Sequence, residues 1–501
     1  MNNSFQIFLQ QKQKSKFSLL KNWFVQTVLI EKLHNKFGFT FLLAITILIV
    51  AGISKFGLLF AILVIAAVLT VPAIISLVMY PQFGIIIYLS VSFCIMFLLR
   101  VGVKFPLGTL MDGMLALFVL GFFIQQKKKT DWKIFRSPVS VWILIWIGYN
   151  ILEFGNPAAE SRMAWIYTIR GMALVTMMYF IFLYNIRTKK FIRFIFKWWL
   201  GFMIIAALYA FKQEYFGFFN FEEEYNHSEG VPSLLFIAGH WRKYSVFSDP
   251  VTFAYNMAIA SLLCIGLLTG PLKKVQRIIL ITIIGLLLSG MLFSGTRGAF
   301  PLVPASLLLY AILNYSKKIL LFVVVVAVFV SGLIFMPTSN QNILRFQSAF
   351  RPNEDASYNV RKINQARIKP YVWAHPLGGG LGSTGEWGKK FSPGSFLANF
   401  PPDSGYVRTT VELGWIGLVI FCIMIFIIIK TGIDHYYKIR DPELKSYCLA
   451  MVLMVFAWNI ANFPQEALVQ YPSNVIFYLT VALINVLYRV DQEQQKHLHY
   501  E

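Results

Sequence analysis

Long apolar runs, separated by short polar connections, fill most of the chain. A bilayer core is crossed by roughly 17–25 apolar residues in a helix, and the pattern predicts about 14 such spans (12–14). They centre near 38–54, 57–79, 84–100, 108–124, 138–154, 164–184, 194–212, 251–270, 276–293, 299–315, 318–336, 405–430, 446–463 and 473–489. The run at 57–79 holds Pro72 and reads as one broken helix or two short segments. The first run is not a cleavable signal peptide, because a basic stretch of about 37 residues precedes it and no small-residue cleavage site follows. The expected fold class is therefore an all-α polytopic integral membrane protein.

One polar stretch breaks the rhythm, from about Pro337 to Tyr406. A loop this long is functional or disordered. Within it, Ser339 to Arg351 and Tyr358 to Trp373 are predicted helical, whereas the glycine run from Gly378 to Gly385 favours irregular backbone. The layout expected is a basic tail (1–37), a helical bundle (38–336) that includes a polar loop at 213–250, the long loop (337–405), C-terminal spans (406–489) and a short tail (490–501). Residues Phe17 to Phe39 mix Leu, Phe, Trp23 and lysines. They read equally as an interfacial amphipathic helix or as a solvated tail.

Composition agrees with the pattern: 57% of residues are hydrophobic and 16% aromatic. The formal net charge of +22 would suggest nucleic acid, but its placement excludes that reading. Lysines and arginines cluster in alternate connections: Lys127–Lys129 with Lys133 and Arg136; Arg187, Lys189, Lys190 and Arg193; Lys273, Lys274 and Arg277; Lys317 and Lys318; Lys430, Lys438 and Arg440. The positive-inside rule makes these connections, and both termini, cytoplasmic. The opposite connections, 155–163, 213–250, Ser294–Gly298 and the long loop, are then non-cytoplasmic. Cys94, Cys264, Cys422 and Cys448 all fall inside predicted spans and read as packing residues. No Cys or His spacing suggests a metal site, and no cofactor is expected.

Candidate chemistry gathers at the non-cytoplasmic borders. Arg297 sits in the hairpin Ser294-Gly-Thr-Arg-Gly298 and is either a site residue or a snorkelling arginine. Arg242 precedes another span in the same way. Arg170 lies within a span, where a charge needs a partner; Glu153 or Glu160 is expected to supply it. In the long loop stand Arg345, Arg351, Arg361 and Arg367, then His375-Pro-Leu-Gly-Gly-Gly-Leu-Gly382, then Asp403 and Ser404. Arginine suits a diphosphate because its planar fork donates two parallel hydrogen bonds. Arg367 also reads as part of a solvated face, and His375 as a helix terminator. His227 and His240 have weaker context. The glycine run lacks a following Lys-Ser/Thr and is not a nucleotide P-loop. Asp403 is the general-base candidate, with capping of the next helix as the bland reading. Arg242, Arg367, Ser404, Tyr406, Arg408 and His375 are the expected substrate contacts.

Taken together, these pieces resemble the O-antigen ligase/polymerase family of bacterial membrane glycosyltransferases. Ser294 to Ala299 is similar to that family's Ser-x-x-Arg-Gly hairpin. Arg361, fifteen residues before Pro376, is similar to its Arg…His-Pro-x-x-Gly-x-Gly segment. Asp403-Ser404, nine residues, then Gly414-x-x-Gly417 is similar to a ligase pattern that opens on histidine. Arg242 with Phe247-Ser-Asp-Pro250 looks like the segment ahead of the family core.

The resemblance implies a GT-C-like architecture. It also implies an undecaprenyl diphosphate-linked glycan donor, a glycan, glycolipid or protein acceptor, and metal-independent, inverting transfer at the periplasmic face of the inner membrane. Arg297, Arg361 and Asp403 would be the catalytic residues. Asp403 stands where ligases carry the histidine thought to deprotonate the acceptor, which leaves a polymerase, or a ligase of another acceptor, open. A flippase or other multi-span transporter is the competing class; it would show internal repeats and paired interrupted helices, and neither is clear here.

Overall fold

The computed structural model describes residues 36–56, 74–75, 77–102, 107–128, 131–237, 239–339, 344, 346–347, 350 and 356–500. Arg345, Arg351, Pro72, most of the 57–79 run, the tail before Lys36 and most of the 339–351 segment lie outside the described residues. The chain divides into two units, Met1–Ser76 and Leu77–Glu501. In the first, Lys36–Phe56 forms one apolar helix. The second holds everything that follows.

The fold is all-α and polytopic, as the hydropathy pattern predicts. Eleven described helices are long and apolar enough to cross a bilayer, with two shorter apolar ones at Leu42–Lys55 and Arg297–Leu313. The described strands are two residues each, Phe236–Ile237 paired antiparallel with His240–Trp241. Helix starts follow local chemistry. Asp249 accepts from the N–H groups of Val251 (2.8 Å) and Thr252 (2.9 Å) ahead of Pro250, and Asp441 does the same before Pro442. A carboxylate at the cap and proline in the first turn satisfy or remove the orphan donors there.

Burial sorts the helices. Pro250–Leu268, Pro442–Ala461 and Ser473–Lys496 are 72%, 78% and 89% buried over their apolar windows and form the centre. They are apolar on all sides because other helices surround them. A Cβ on Gly266 would stand 2.4 Å from that of Ala450, so two of these helices meet almost backbone to backbone. Lys274–Phe293 is only 17% buried and Lys317–Phe335 not at all, which leaves their apolar sides for lipid.

The span expected at 164–184 runs from Arg162 to Asn185 and carries a π-helical turn at Arg170–Leu174. Arg170 pairs with Asp112 of the neighbouring Leu107–Lys128 helix, and not with Glu153 or Glu160. Glu153 instead accepts from Asn156 (2.8 Å). The pairing is set by which helix lies alongside, information that chain separation does not carry.

The basic connections gather with the few acids near them. Lys189 bonds Asp441 at 2.7 Å and Glu443 at 2.9 Å, and Arg187 meets Asp131 at 3.2 Å. The opposite connections, in the alternating order of spans, carry the residues described next.

Candidate active site

The arginine hairpin is held from two sides. Arg242 donates through Nε to the Ser294 carbonyl (2.9 Å) and through Nη2 to Thr296 Oγ1 (2.9 Å), and it also reaches the Leu234 carbonyl (3.3 Å). The Thr296 hydroxyl donates to the Pro250 carbonyl (3.1 Å). Arg297 then opens a single 3-10 turn, Arg297–Ala299. A Cβ on the next residue, Gly298, would stand 2.9 Å from the Tyr255 hydroxyl and 3.1 Å from Pro464. Glycine thus lets the hairpin close onto the Pro250–Leu268 helix and the 462–472 connection. Arg242 braces the hairpin that carries Arg297.

The glycine run docks on an unwound turn. The Gly405–Lys438 helix breaks at Gly414, whose φ is 69°. Freed acceptors there take the run: Gly379 N–H donates to the Val411 carbonyl and Gly380 N–H to that of Glu412, both at 2.9 Å. On the other side, Asn156 Nδ2 donates to the Leu377 carbonyl (2.9 Å). Side chains would not fit between. A Cβ on Gly380 would lie 2.4 Å from Ala159, and one on Gly382 would lie 2.3 Å from Thr168. The irregular backbone expected over Gly378–Gly385 is present, with positive φ at Gly378, Gly380, Gly382 and Gly385.

Docking positions the segments on either side of the glycine run. The Ala356–Ala374 helix precedes the run and carries Arg361. Asp403 follows it, half-buried, and is not the cap of the next helix: that position belongs to Ser404, whose side chain makes no capping bond. Arg361 and Asp403 line one small pocket with Asn364, Gln365 and Ser404. Asp403 also lines a larger cavity of about 300 Å³ with Asp249, Thr252, Tyr255, Glu466 and Gln470. The Tyr255 hydroxyl lies within electrostatic reach of Arg361, Asp249 and Arg242. Arg242, the Arg297 hairpin, Arg361 and Asp403 therefore all border the surroundings of one tyrosine.

An ion triad stands at the cavity wall, with Glu412 buried and Glu466 partly exposed. Arg408 donates to Glu412 (3.1 Å) and to Glu466 (2.6 Å), and Glu412 also accepts from Gly382 N–H (3.0 Å) and the Thr384 hydroxyl. Burial pushes the Glu466 carboxyl up from the ordinary range, Arg408 opposes this, and the charges of Glu412 and Asp403 add to it.

The remaining sequence candidates sit apart from this centre or in structural roles. Arg408 is taken by its two carboxylates. Tyr406 donates to Asn459 and packs on Phe421. Ser404 lies against the Asn462 carbonyl (3.4 Å). Arg367 is exposed over the Phe396 ring, and His375 ends its helix, stacked on Tyr371 with Nδ1 on that residue's carbonyl (2.9 Å). His240 contacts Glu214 (3.3 Å) and His227 packs on Trp241. Sequence reasoning missed Tyr255, Glu412, Glu466 and Gln470. The one available signal was Asn462-Phe-Pro-Gln-Glu466, a polar connection on the same side as the long loop.

Residues 281–422 match the family model described as O-Antigen ligase. No curated protein sequence matches the chain. Arg242, Asp249, Tyr255 and Glu466 lie outside the matched stretch, while the arginine hairpin, Arg361, the glycine run, Asp403 and the Gly414 kink lie inside it. The chain is thus similar over residues 281–422 to the O-antigen ligase family, and that stretch lies within a polytopic chain with eleven described helices long and apolar enough to cross a membrane.

Proposed function

We propose that this protein transfers a glycan from an undecaprenyl diphosphate carrier to a hydroxyl of an acceptor glycan, glycolipid or protein at the periplasmic face. The observation that carries the reading is the meeting of Arg361 and Asp403 in one pocket, with Tyr255 and the Arg297 hairpin beside it. The charge placement supports the orientation: basic connections stay with the cytoplasm and the long loop stays outside. The 337–405 loop and the bundle at 38–336 then divide the work. The loop presents base and arginine, and the bundle presents the hairpin.

The chemistry follows from these groups. The acceptor oxygen attacks the anomeric carbon as the bond from that carbon to the diphosphate oxygen breaks, and the configuration inverts. Asp403 takes the proton from the attacking hydroxyl, a contribution of about 100- to 10,000-fold. Arg297 and Arg361 hold the diphosphate and offset its growing negative charge, which preorganised donors do without reorganisation cost. No metal is needed in this scheme because the arginines supply the positive charge.

The test uses purified full-length protein with a lipid-linked donor, and a deletion strain complemented by the same variants. Arg297→Ala and Arg361→Ala abolish transfer while the protein still accumulates, a loss of about 2–5 kcal/mol by analogy with desolvated charge pairs. Lysine at either position rescues poorly, since it lacks the planar fork. In the deletion strain, loss of length ladders identifies a polymerase, and polymer retained on the carrier identifies a ligase. Near-normal glycan assembly in either alanine variant would remove the diphosphate role.

A further inference from the structure

We infer that the cavity between Asp249 and Asp403 is the acceptor subsite, and that it takes an uncharged or amine-bearing sugar in preference to an anionic one. The inference deepens the transfer reading and rests on it. The cavity is about 300 Å³, at the lower end of small-ligand sites. Three carboxylates line it, from Asp249, Asp403 and Glu466, and no lysine or arginine does among the described residues.

A residue with an unpartnered hydroxyl lines it. Tyr255 is 1% exposed, and its hydroxyl has no hydrogen-bond partner among the described residues. A buried hydroxyl is normally satisfied by protein, water or ligand. The neighbours are part-used in a way that suits sugar hydroxyls, which both donate and accept. One end of the Gln470 amide lies 2.5 Å from Ser248 Oγ, so its other end is left for the cavity. Glu466 Oε2 is held by Arg408 (2.6 Å), so Oε1 is left to accept. Asp249 spends its oxygens on the helix cap and on the Ser248 (2.6 Å) and Thr252 (2.7 Å) hydroxyls, and contributes charge alone.

Charge decides the sugar class. A carboxylate or phosphate on the acceptor would face three carboxylates, of which Glu466 is paired with Arg408 (2.6 Å), and like-charge juxtaposition in a partly buried site is unfavourable. Arg361 and Arg242 approach Tyr255 as well. The tyrosine thus feels both the arginines suited to the donor diphosphate and the Asp249 carboxylate of the cavity.

The experiment is saturation-transfer NMR on the full-length protein in nanodiscs. The probes are the methyl glycosides of glucose, glucosamine and glucuronic acid, with undecaprenyl diphosphate binding measured in parallel. The neutral and amino glycosides bind, and the glucuronide does not. Tyr255→Phe and Gln470→Leu each weaken sugar binding by roughly tenfold, the loss of one hydrogen bond, while Gln470→Leu keeps undecaprenyl diphosphate binding. Glu466→Gln narrows the discrimination against the glucuronide. Preferred binding of the glucuronide would overturn the proposal. So would sugar binding unchanged in both Tyr255→Phe and Gln470→Leu, or no glycoside signal from protein that still binds undecaprenyl diphosphate. Sugar binding as expected without undecaprenyl diphosphate binding would keep the subsite and sink the transfer reading.

Discussion

Arg408 reaches Glu466 at 2.6 Å across the gap between the Gly405–Lys438 helix and the last connection, while its Nε holds Glu412 at 3.1 Å. Glu412 is 1% exposed and takes the backbone of the glycine run at Gly382. One guanidinium therefore ties the docked loop, the kinked helix and the 462–472 connection together.

Arg408→Ala leaves the buried Glu412 and the partly exposed Glu466 without their cation. Breaking a buried pair from one side costs on the order of 3–5 kcal/mol. The expected result is poor accumulation and a large drop in melting temperature of the detergent-solubilised protein, with Arg408→Lys intermediate. If Arg408→Ala accumulates and melts normally and loses only substrate binding, the substrate-contact role read from the sequence is the correct one.

Gly414→Ala tests the docking. A Cβ there would lie 1.8 Å from the Pro376 carbonyl oxygen, at a φ of 69° that side chains rarely adopt. Strain of this kind costs about 1–3 kcal/mol even before the clash. The loop is expected to release from the unwound turn, seen as faster proteolysis between 376 and 404 and loss of transfer. Unchanged proteolysis and transfer would mean that the loop holds Arg361 and Asp403 by other contacts.

Asp403→Asn separates base from scaffold. Since Ser404 occupies the cap, the amide loses no capping bond. As the base, Asp403 should cost about 100-fold or more in turnover on this change, with donor binding intact. Asp403→His restores the ligase-type residue and should retain activity with an altered pH profile. Full activity in the Asn variant would turn attention to Glu466, which lines the same cavity.

Glu466 should also shape stability against pH. Its folded carboxyl is raised above the ordinary value of 4.5, mainly by burial. A raised carboxyl binds its proton more tightly in the folded state, so its stabilising contribution is full below 4.5 and is lost as pH rises through the higher folded value. Melting curves taken from neutral pH down to about pH 5 should show this component in the wild type and a flatter profile in Glu466→Gln. An equal slope in the two proteins would assign the dependence to other groups.

The local pattern of the chain was enough for much of this. Hydropathy marked the spans. Asp249-Pro250 and Asp441-Pro442 marked helix starts, and four glycines in five positions marked a backbone that cannot be helical. These signals are legible because caps, turns and periodicity depend on neighbours within a few residues. The position of Arg297 in a short hairpin was legible for the same reason.

What brought the pieces together was decided only by the packing of the bundle. Arg170 found Asp112, nearly sixty positions earlier, because the helix that carries it lies alongside. Arg408 found Glu466, and Asp403 came to share a cavity with Asp249 and Tyr255, because the Pro250–Leu268 helix and the last connection meet the mouth of the Gly405–Lys438 helix. Sequence separation carries no trace of such contacts: burying apolar surface selects which helices touch, and the polar groups at their ends pair with whatever that packing delivers.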